Sequence, residues 1–569
     1  MFDSNVLKKI RQSEEQWQKQ VDAMEENYSE TGFTNSSGIE IKPVYTPSDM
    51  ARLDVEDTLK LPGQYPYTRG NYPLHYQIEP MYMNQGYGLC TAEETRQRRE
   101  WLQRLGSNWK GGQVTAVIAM DLPSQRGLDP DDPAATGKVG ECGVSISTVE
   151  DLAVYFQSLS LEKTFTTLIA FDAVLPVTAL LAAYIIDERQ ESLDKLFHVA
   201  CNLFHHQWFW DSIAFPPRSA LKLSVEFIKW HIENAPNSFP ALMDGYNVGE
   251  AGAPPAMEVA FNLAHTIATV EECRKAGIDP EEVVSRIWAH PHIGMNFFEE
   301  IAKLRATRRI WAKIFKERFG CQTTRALTYK ALNAQTSGFE LTAQEIHNNI
   351  IRLTIMAMAG MMGDVEGMWI SSYDEAIGIP TEDAVQVCVR TYQILNDETD
   401  IPYVTDPLGG SYYVEWLTAR MEEEIYNILG QIEKLGGYLK CWESGWLRRE
   451  VEREGARRFR RLQTGQKVKV GVNKNQVERE PKVKSYRRPP EAEEKAIRNV
   501  KAYRQNRDNT KVETALEKVK DAASRIDGEW PGSCGELMPT LVEAARAGAT
   551  NGEMHRILRD VFGYGYFSG

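Results

Sequence analysis

Polar and titratable side chains stand at the ends of several short apolar runs in this sequence. These residues are Asp121, Asp172, Asn247, His290, Gln335, Asp374 and Glu375. Carboxylates, amides and imidazoles can exchange hydrogen bonds with the hydroxyl and carbonyl groups of a ligand. Asp and Asn at such places also cap helices, which is the structural alternative for some of them.

A second constellation is a pair of histidines separated by one proline, His290 and His292. Zinc and similar ions take three or four protein ligands, and no cysteine or further histidine stands close to this pair in the sequence. We therefore predict no metal site here and interpret the pair as pocket lining or as structural.

The elements that position these side chains are short apolar, β-prone runs that alternate with helical spacing between about residues 110 and 375. The runs are Val114–Leu122, Gly143–Thr148, Thr166–Asp172, Leu196–Cys201, Ala241–Tyr246, Arg286–His290, Leu327–Ala334 and Met368–Ser372. Eight strands alternating with helices favour an α/β fold of the TIM (β/α)8 barrel type over an open doubly wound sheet. In such a barrel the polar strand ends meet at one mouth.

The segments outside this region have other compositions. Residues 1–60 are predicted to form a charged amphipathic helix and an extended arm that wraps a partner, followed by the barrel domain at 61–405. A helical extension is predicted at 406–465, a basic, proline-containing linker at 466–508 and C-terminal helices at 509–569.

Composition limits the function classes. The chain has 569 residues and a net charge of −14, which argues against a nucleic-acid binder because phosphate contacts need a basic surface. No apolar run reaches the ~20 residues that span a membrane. The eight cysteines are scattered, as in proteins of a reducing compartment. We expect a soluble, cytoplasmic protein without nucleic-acid or membrane partners.

Several collinear segments resemble one enzyme family. They include YPYTRGNYP (65–73), GYNVGEAGAP (245–254), AQTSGFELTAQEIHNNIIR (334–352), DPLGGSYYVEWLT (406–418) and EAARAGATNGEM (543–554). Together they resemble the large subunit of methylmalonyl-CoA mutase and its isobutyryl-CoA and 2-hydroxyisobutyryl-CoA relatives. The resemblance implies a TIM barrel, axial entry of an acyl-CoA substrate, and radical chemistry that belongs to adenosylcobalamin.

The resemblance also implies partners. The family's cobalamin domain carries Asp-x-His-x-x-Gly, and none of the ten histidines here stands in that pattern. We therefore expect a separate small cobalamin-binding subunit, a hetero-oligomer with two copies of each subunit, and a G-protein chaperone.

By resemblance, the adenosyl-binding positions are retained. Glu250, Gln335, Glu375 and Ser371 match positions that hold the adenosyl ribose or its surroundings, and Tyr246 matches a tyrosine beside the reacting groups. Asn247 stands where the family has a histidine that hydrogen-bonds the thioester carbonyl. Asn247 can donate a hydrogen bond but cannot supply a proton, so Tyr246 and Asn247 are the candidate catalytic residues.

The substrate side departs from the family. Gly86, beside Tyr87, replaces a tyrosine near the migrating group, and Trp210 aligns with the arginine that pairs with the substrate carboxylate. Glu79 replaces an arginine that binds CoA phosphate, and apolar residues replace small polar ones along the axis, at Leu74, Leu168, Ala170, Leu242 and Trp288. The candidate substrate residues are Tyr72, Tyr82, Gln85, Gly86, Tyr87, His198, Trp210, Arg286, Trp288, His290 and Asn333.

Three functional hypotheses follow. The first is a mutase for an acyl-CoA with a bulky or non-carboxylate acyl group, not methylmalonyl-CoA. The second is a cobalamin-dependent mutase for a substrate without CoA, because CoA amides and phosphates against Leu and Trp would lose hydrogen bonds worth ~1–3 kcal/mol each. The third is a non-catalytic homologue that acts as a binding subunit.

Overall fold

The structure, a computed structural model, describes residues 4–22, 33–52, 60–86, 88–106, 108–109, 113–200, 215–478 and 486–564. Its strands are β1 Phe33–Thr34, β2 Glu40–Ile41, β3 Tyr82–Met83, β4 Asn108–Trp109, β5 Gln113–Ala119, β6 Thr164–Ile169, β7 Ala241–Asp244, β8 Ile287–His290, β9 His292–Ile293, β10 Ala334–Thr336 and β11 Gly367–Trp369. The predicted α/β class is confirmed.

Most of the helices are longer than the strands. They are α1 Ser4–Asp22, α2 His75–Ile78, α3 Ala92–Arg104, α4 Leu122–Gln125, α5 Val149–Phe156, α6 Val174–Ala183, α7 Pro217–Asn234, α8 Gly245–Glu250, α9 Pro255–Lys275, α10 Pro280–Val284, α11 Phe297–Phe319, α12 Thr324–Leu327, α13 Asn348–Met362, α14 Glu382–Gln393, α15 Tyr412–Lys434, α16 Tyr438–Glu443, α17 Trp446–Gln463, α18 Glu491–Asn506, α19 Asn509–Gly528, α20 Leu537–Ala547 and α21 Asn551–Phe562.

Parallel pairing links the inner strands nearly in chain order. β3 pairs with β11, β11 with β10, and β10 with β9. β7 pairs with β8 and β5 with β6. Residues 198–200 bridge these pairs, since His198 pairs with Thr166 and Val199 with Phe239, again in parallel. Among the described residues, no strand pairing through backbone hydrogen bonds joins β3 to β5.

Two apolar clusters lie on opposite sides of these strands. The large one packs the strands against the helices. The small one, here called the inner cluster, has seven buried members from different segments, Tyr82, Val117, Phe165, Val199, Leu242, Trp288 and Leu332. Five partly buried side chains pack against them: Ile169, Phe171, Phe197, Phe239 and Trp369. Period-two alternation explains the division, because successive side chains of a strand point to opposite faces.

The members of the inner cluster can be compared with the five apolar residues that were predicted to line the barrel axis. Leu242 and Trp288 belong to it, as predicted. Leu168 and Ala170 instead face the helices in the large cluster, and Leu74 is exposed, so their assignment to the axis is wrong. The error is one of register, since a shift of one residue moves a strand side chain to the other face.

The strand predictions fail at several places. Leu196–Cys201 has only single bridges at His198 and Val199, and Leu327–Ala334 begins at the end of α12 and reaches β10 only at Ala334. Gly143–Thr148 is not a named strand and contributes only single bridges at Val144, because Gly143, at φ 143°, crosses close to the backbone of Met120 and Asp121. The two-residue strands β1, β2, β3, β4 and β9 are not predicted from the sequence; β3, for example, stands between Pro80 and the polar Asn84. Such a short run carries no periodicity.

The C-terminal helices pack onto the α/β body through a buried polar network. Gly552 N and Thr550 Oγ1 donate to the Asp129 carboxylate at 3.0 and 2.6 Å, and Arg504 pairs with the same carboxylate. In the part of the chain that the structure describes, no helix has both the length and the apolar character needed to cross a bilayer.

Candidate functional site

Two carboxylates and a phenol converge on the backbone of Gly338, which follows β10. A Cβ atom placed on Gly338 would lie 3.1 Å from Glu250 Oε2, 3.3 Å from Glu375 Oε1 and 3.6 Å from Tyr246 Oη. The place where these groups meet, between α8, β10 and the turn after β11, is here called the Gly338 recess. Three of the residues predicted from sequence for cofactor or reacting groups meet here.

Three groups contact the Glu250 carboxylate at the end of α8. Ser337 Oγ donates at 2.7 Å, the backbone amide of Phe339 donates at 2.9 Å, and His292 Nε2 lies 3.0 Å away. Burial alone raises the pKa of Glu250, but these hydrogen bonds and the His292 imidazole outweigh it and the net pKa lies below its usual value. Glu250 is therefore a fixed carboxylate.

The pKa of Glu375 is shifted in the opposite direction, upwards. Burial and the nearby charge of Glu250 raise its pKa to about 7, although a hydrogen bond from Ser371 opposes the shift. The backbone amide of Ser372 also donates to it at 3.3 Å. Two carboxylates on one recess thus have pKa values that are pushed apart, and near neutral pH one is charged while the other exchanges a proton.

Gln335 is oriented by His290. The two side chains meet through His290 Nε2 and Gln335 Oε1 at 2.9 Å, and burial lowers the pKa of His290 to about 4. The His290 ring stacks on Tyr246 at 5.1 Å and faces Trp288 at 6.1 Å. A neutral imidazole that donates to Oε1 leaves the Gln335 amino group to donate to a ligand.

The side chain of Asn247 is engaged with Asp244. Its side-chain amide donates to Asp244 Oδ2, and its backbone amide lies 3.4 Å from Asp244 Oδ1, so the pair caps α8. Burial raises the pKa of Asp244 to about 6. The structure therefore gives Asn247 a capping contact, and its catalytic role stays a prediction.

Gly86 lies beneath the indole of Trp369. A Cβ atom on Gly86 would approach the Trp369 ring atoms to between 1.8 and 2.6 Å. The space left by the missing tyrosine is thus occupied by a tryptophan of β11. Trp288 and Tyr82 belong to the inner cluster below.

Several predicted substrate residues contact groups other than Tyr246, Glu250 and Glu375. Arg286 bonds Pro236 O and Glu282 O, at the start of β8, and Tyr72 is 46% exposed beside His75. Gln85 donates to Ile370 O at 2.9 Å and contacts Cys388. Asn333 is buried before β10.

The structure places His198, a candidate substrate residue, on the other side of its strand segment. It faces α7, where its Nδ1 lies 3.2 Å from Nε2 of the buried His231, and not the inner cluster. Its neighbour Val199 takes the inward position because strand side chains alternate. Tyr87 and Trp210 lie outside the described residues.

The sequence reasoning missed His292, Ser337 and Phe339 as contacts of Glu250. Ser337 and Phe339 stand in the motif that contains Gln335, so their proximity was available as a signal. His292 was interpreted only as half of a histidine pair. Among the described residues no cluster of three metal-ligating side chains occurs.

The family model of methylmalonyl-CoA mutase matches residues 34–564. The chain belongs to the methylmalonyl-CoA mutase family. It is 34% identical to the mitochondrial methylmalonyl-CoA mutase of Mus musculus over 92% of this chain and 68% of that protein.

Two bacterial relatives are similarly close. The large subunit of 2-hydroxyisobutanoyl-CoA mutase from Aquincola tertiaricarbonis is 33% identical over 92% of this chain and 91% of that subunit. The methylmalonyl-CoA mutase of Escherichia coli K12 is 32% identical over 96% of this chain and 75% of that protein. The mutase is thus an isomerase, an intramolecular transferase, as predicted.

Proposed function

We propose that this mutase is the large catalytic subunit of an adenosylcobalamin-dependent enzyme that rearranges the carbon skeleton of an acyl-CoA. The observation that carries the proposal is the convergence of Tyr246, Glu250 and Glu375 on Gly338. Membership of the methylmalonyl-CoA mutase family supports it.

The proposal includes a closed (β/α)8 barrel. Seven segments each send a buried side chain into the inner cluster and Trp369 of β11 packs against it, which is the pattern of a barrel interior filled by layers of side chains. The recess at Gly338 then lies at the carboxyl ends of the strands, where enzymes of this architecture carry their active sites.

The recess suits the ribose of the adenosyl group. The Glu250 carboxylate accepts hydrogen bonds from hydroxyl groups, and the Gln335 amino group donates to their oxygens. Glu375 can accept when ionised and donate when protonated, and Gly338 lets a ligand approach the backbone closely. When bound, the cofactor supplies the radical that abstracts hydrogen from the substrate.

The residues of this chain then orient the reacting groups and restrict water. Ser337, His292 and the Phe339 amide keep Glu250 in one position, so the ligand need not order it. The stacked rings of Tyr246, His290 and Trp288 form an apolar wall beside the recess.

We further propose that cobalamin is carried by a separate small subunit in a hetero-oligomer. The relative that the chain covers over 91% of its length is itself named a large subunit. The altered substrate positions, Gly86 under Trp369 among them, support an acyl group other than methylmalonyl. A substrate without CoA is the second candidate, which the apolar inner cluster favours.

The test is reconstitution with a small cobalamin-binding subunit and adenosylcobalamin, over a panel of acyl-CoA esters and free acids. Cob(II)alamin formation that depends on one of these substrates, measured by absorbance and electron paramagnetic resonance, is the expected result. Its absence over the whole panel would favour a non-catalytic binding subunit.

A matched pair of variants tests the recess itself. Glu250→Gln keeps the shape but removes the carboxylate, and we expect at least a 10-fold loss of cob(II)alamin formation at limiting cofactor. Glu382→Gln, whose side chain is 72% exposed on α14, is the control and should retain the wild-type yield. Equal yields from both variants would contradict the assignment of Glu250 to the cofactor.

A further inference from the structure

We infer that a buried ion triad, formed by Glu258, Lys303 and Glu300, positions the Glu250 carboxylate of the Gly338 recess and acts on it through His292. The inference rests on the proposed function, because it takes the recess as the place where the adenosyl group binds. It assigns Lys303 and His292 as positioning residues, which act on a ligand by way of Glu250.

The triad is buried between α9 and α11. Lys303 Nζ lies 2.8 Å from Glu258 Oε2 and 2.6 Å from Glu300 Oε2, and none of the three side chains is more than 3% exposed. Burial alone lowers the pKa of Lys303, but the two carboxylates outweigh it and the net pKa lies above its usual value. Lys303 is therefore a fixed ammonium group between two carboxylates.

The triad binds both backbone polar groups of His292. β7 pairs with β8 as far as Asp244 and His290, so His292 lies beyond the last pair of these two strands. Its backbone amide donates to Glu258 Oε1 at 3.1 Å, and its carbonyl oxygen accepts a hydrogen bond from Lys303 Nζ. Because a buried backbone group needs a partner, the triad takes the place of the strand neighbour that is missing at this point.

Helix α8 packs directly on these groups because two of its residues are glycines. A Cβ atom on Gly245 would collide with Oε1 of Glu258, and one on Gly249 would lie 2.5 Å from Cγ of His292. The two glycines are four residues apart and therefore lie on one face of the helix. The helix that ends at Glu250 thus contacts both the triad and the His292 ring.

The His292 ring connects the triad to the recess. Its Nε2 lies 3.0 Å from Glu250 Oε1, and the same carboxylate accepts hydrogen bonds from Ser337 Oγ and the Phe339 amide. A carboxylate that is fixed before the ligand arrives loses no side-chain freedom on binding. His292 would therefore transmit a displacement of the triad to Glu250 and weaken the binding of the ligand.

The same helix carries a second buried triad, which serves as a matched comparison. Arg305 of α11 pairs with Asp406 and Glu415, and its side chain is 0% exposed. Glu415 belongs to α15 and Asp406 to the turn before it, so this triad joins α11 to the C-terminal part of the chain. Loss of either cation leaves two buried carboxylates unpaired, which is strongly destabilising in both cases.

Amide hydrogen exchange in the full-length protein, without cofactor, tests the inference. The Phe339 amide donates to Glu250, so its exchange rate reports whether the carboxylate stays in place. We expect Lys303→Met to speed this exchange by about 10-fold or more relative to the amides of β6, because Glu250 is no longer held. Arg305→Met should lower the global stability similarly but leave this ratio at its wild-type value. Equal ratios in the two variants would overturn the inference.

A pair of substitutions at His292 keeps the test decisive if Lys303→Met does not fold. His292→Gln can still donate a hydrogen bond to Glu250 from a side-chain nitrogen, whereas His292→Leu cannot. Exchange at Phe339 should be about 10-fold faster, or more, in His292→Leu and close to the wild-type rate in His292→Gln. The same rate in both variants would overturn the inference.

The holoenzyme provides a second measurement. In His292→Leu the adenosylcobalamin concentration for half-maximal cob(II)alamin formation should rise by about 10-fold or more, whereas the yield at saturating cofactor changes little, because ground-state binding is lost. His292→Gln should restore the wild-type concentration. An unchanged concentration in His292→Leu would overturn the inference. A wild-type holoenzyme that forms no cob(II)alamin would refute the proposed function and leave the hydrogen-exchange result standing.

Discussion

The paired carboxylates of the recess make a prediction about single residues. Glu375 has a pKa raised to about 7 by burial and by Glu250, whereas in the unfolded chain it titrates near 4.3. The folded protein therefore binds an extra proton between these values. The stability that this proton contributes is fully present below pH 4 and is lost as the pH rises through 7.

We expect Glu375→Gln to remove this loss. Because glutamine stays neutral, the variant should gain stability relative to the wild type as the pH rises from 4.5 to 8, by roughly 1–3 kcal/mol. Urea unfolding of the apoprotein at several pH values measures the difference. Glu382→Gln is the exposed control, and a difference for Glu375→Gln that does not change with pH would contradict the raised pKa.

At the scale of elements, the long helices were predictable and the short strands were not. Apolar spacing in the sequence predicts helices at Pro255–Ala276, Asn296–Phe319 and Val414–Leu435. The observed α9, α11 and α15 lie within two residues of these ranges, and Ser411 caps α15. β3 has two residues and no pattern. The sequence also predicts one helix at Tyr438–Thr464. The structure has two, α16 and α17, because Gly445, at φ 69°, stands between them.

Some residues of the candidate site could likewise be predicted from the sequence, and others could not. Glu250, Gln335 and Glu375 could be predicted because each stands in a recognisable motif. The inward position of Val199 and the outward position of His198 could not, since one residue of register decides which side chain faces the ligand. The contact of His292 with Glu250 joins two elements 42 residues apart, and only the folded chain brings them together.

The histidine pair between residues 198–200 and α7 predicts acid sensitivity of this contact. Burial lowers the pKa of His198 and lowers that of His231 to about 4. The unfolded chain takes up protons near pH 6.5, before the folded protein can, so stability is lost as the pH falls below that value. The loss approaches about 1.4 kcal/mol per pH unit for each histidine.

The double variant His198→Leu/His231→Leu should show a shallower decline of stability between pH 6.5 and 5, whatever its stability at neutral pH. The measurement is the slope of the unfolding free energy against pH, obtained by urea unfolding. A purely structural effect of the substitutions would shift the unfolding free energy equally at every pH and leave this slope unchanged. His347→Gln, at an exposed position, should leave the slope as it is in the wild type. An unchanged slope in the double variant would contradict the prediction.

At the scale of the whole molecule, a buried charge network joins the C-terminal helices to the α/β body in addition to their apolar packing. Arg504 of α18 pairs with Asp129 and, at 2.8 Å, with Asp131. Asp129 is 4% exposed, and the hydroxyl of Thr550 and the amide of Gly552, at the start of α21, donate to it as well. One buried carboxylate thus connects both ends of the C-terminal region to the loop after α4.

Removal of the cation should therefore loosen this region as a unit. Arg504→Gln leaves Asp129 buried without its charged partner, and we expect a loss of about 1–3 kcal/mol, less than for a fully buried pair because Arg504 is 27% exposed. The substitution should also speed proteolysis after residue 486. Arg498→Gln lies on the same helix with a side chain 67% exposed, and should change neither quantity. Equal behaviour of the two variants would mean that apolar packing alone holds the C-terminal helices, and the region would then be expected to stay attached when the Asp129 network is broken.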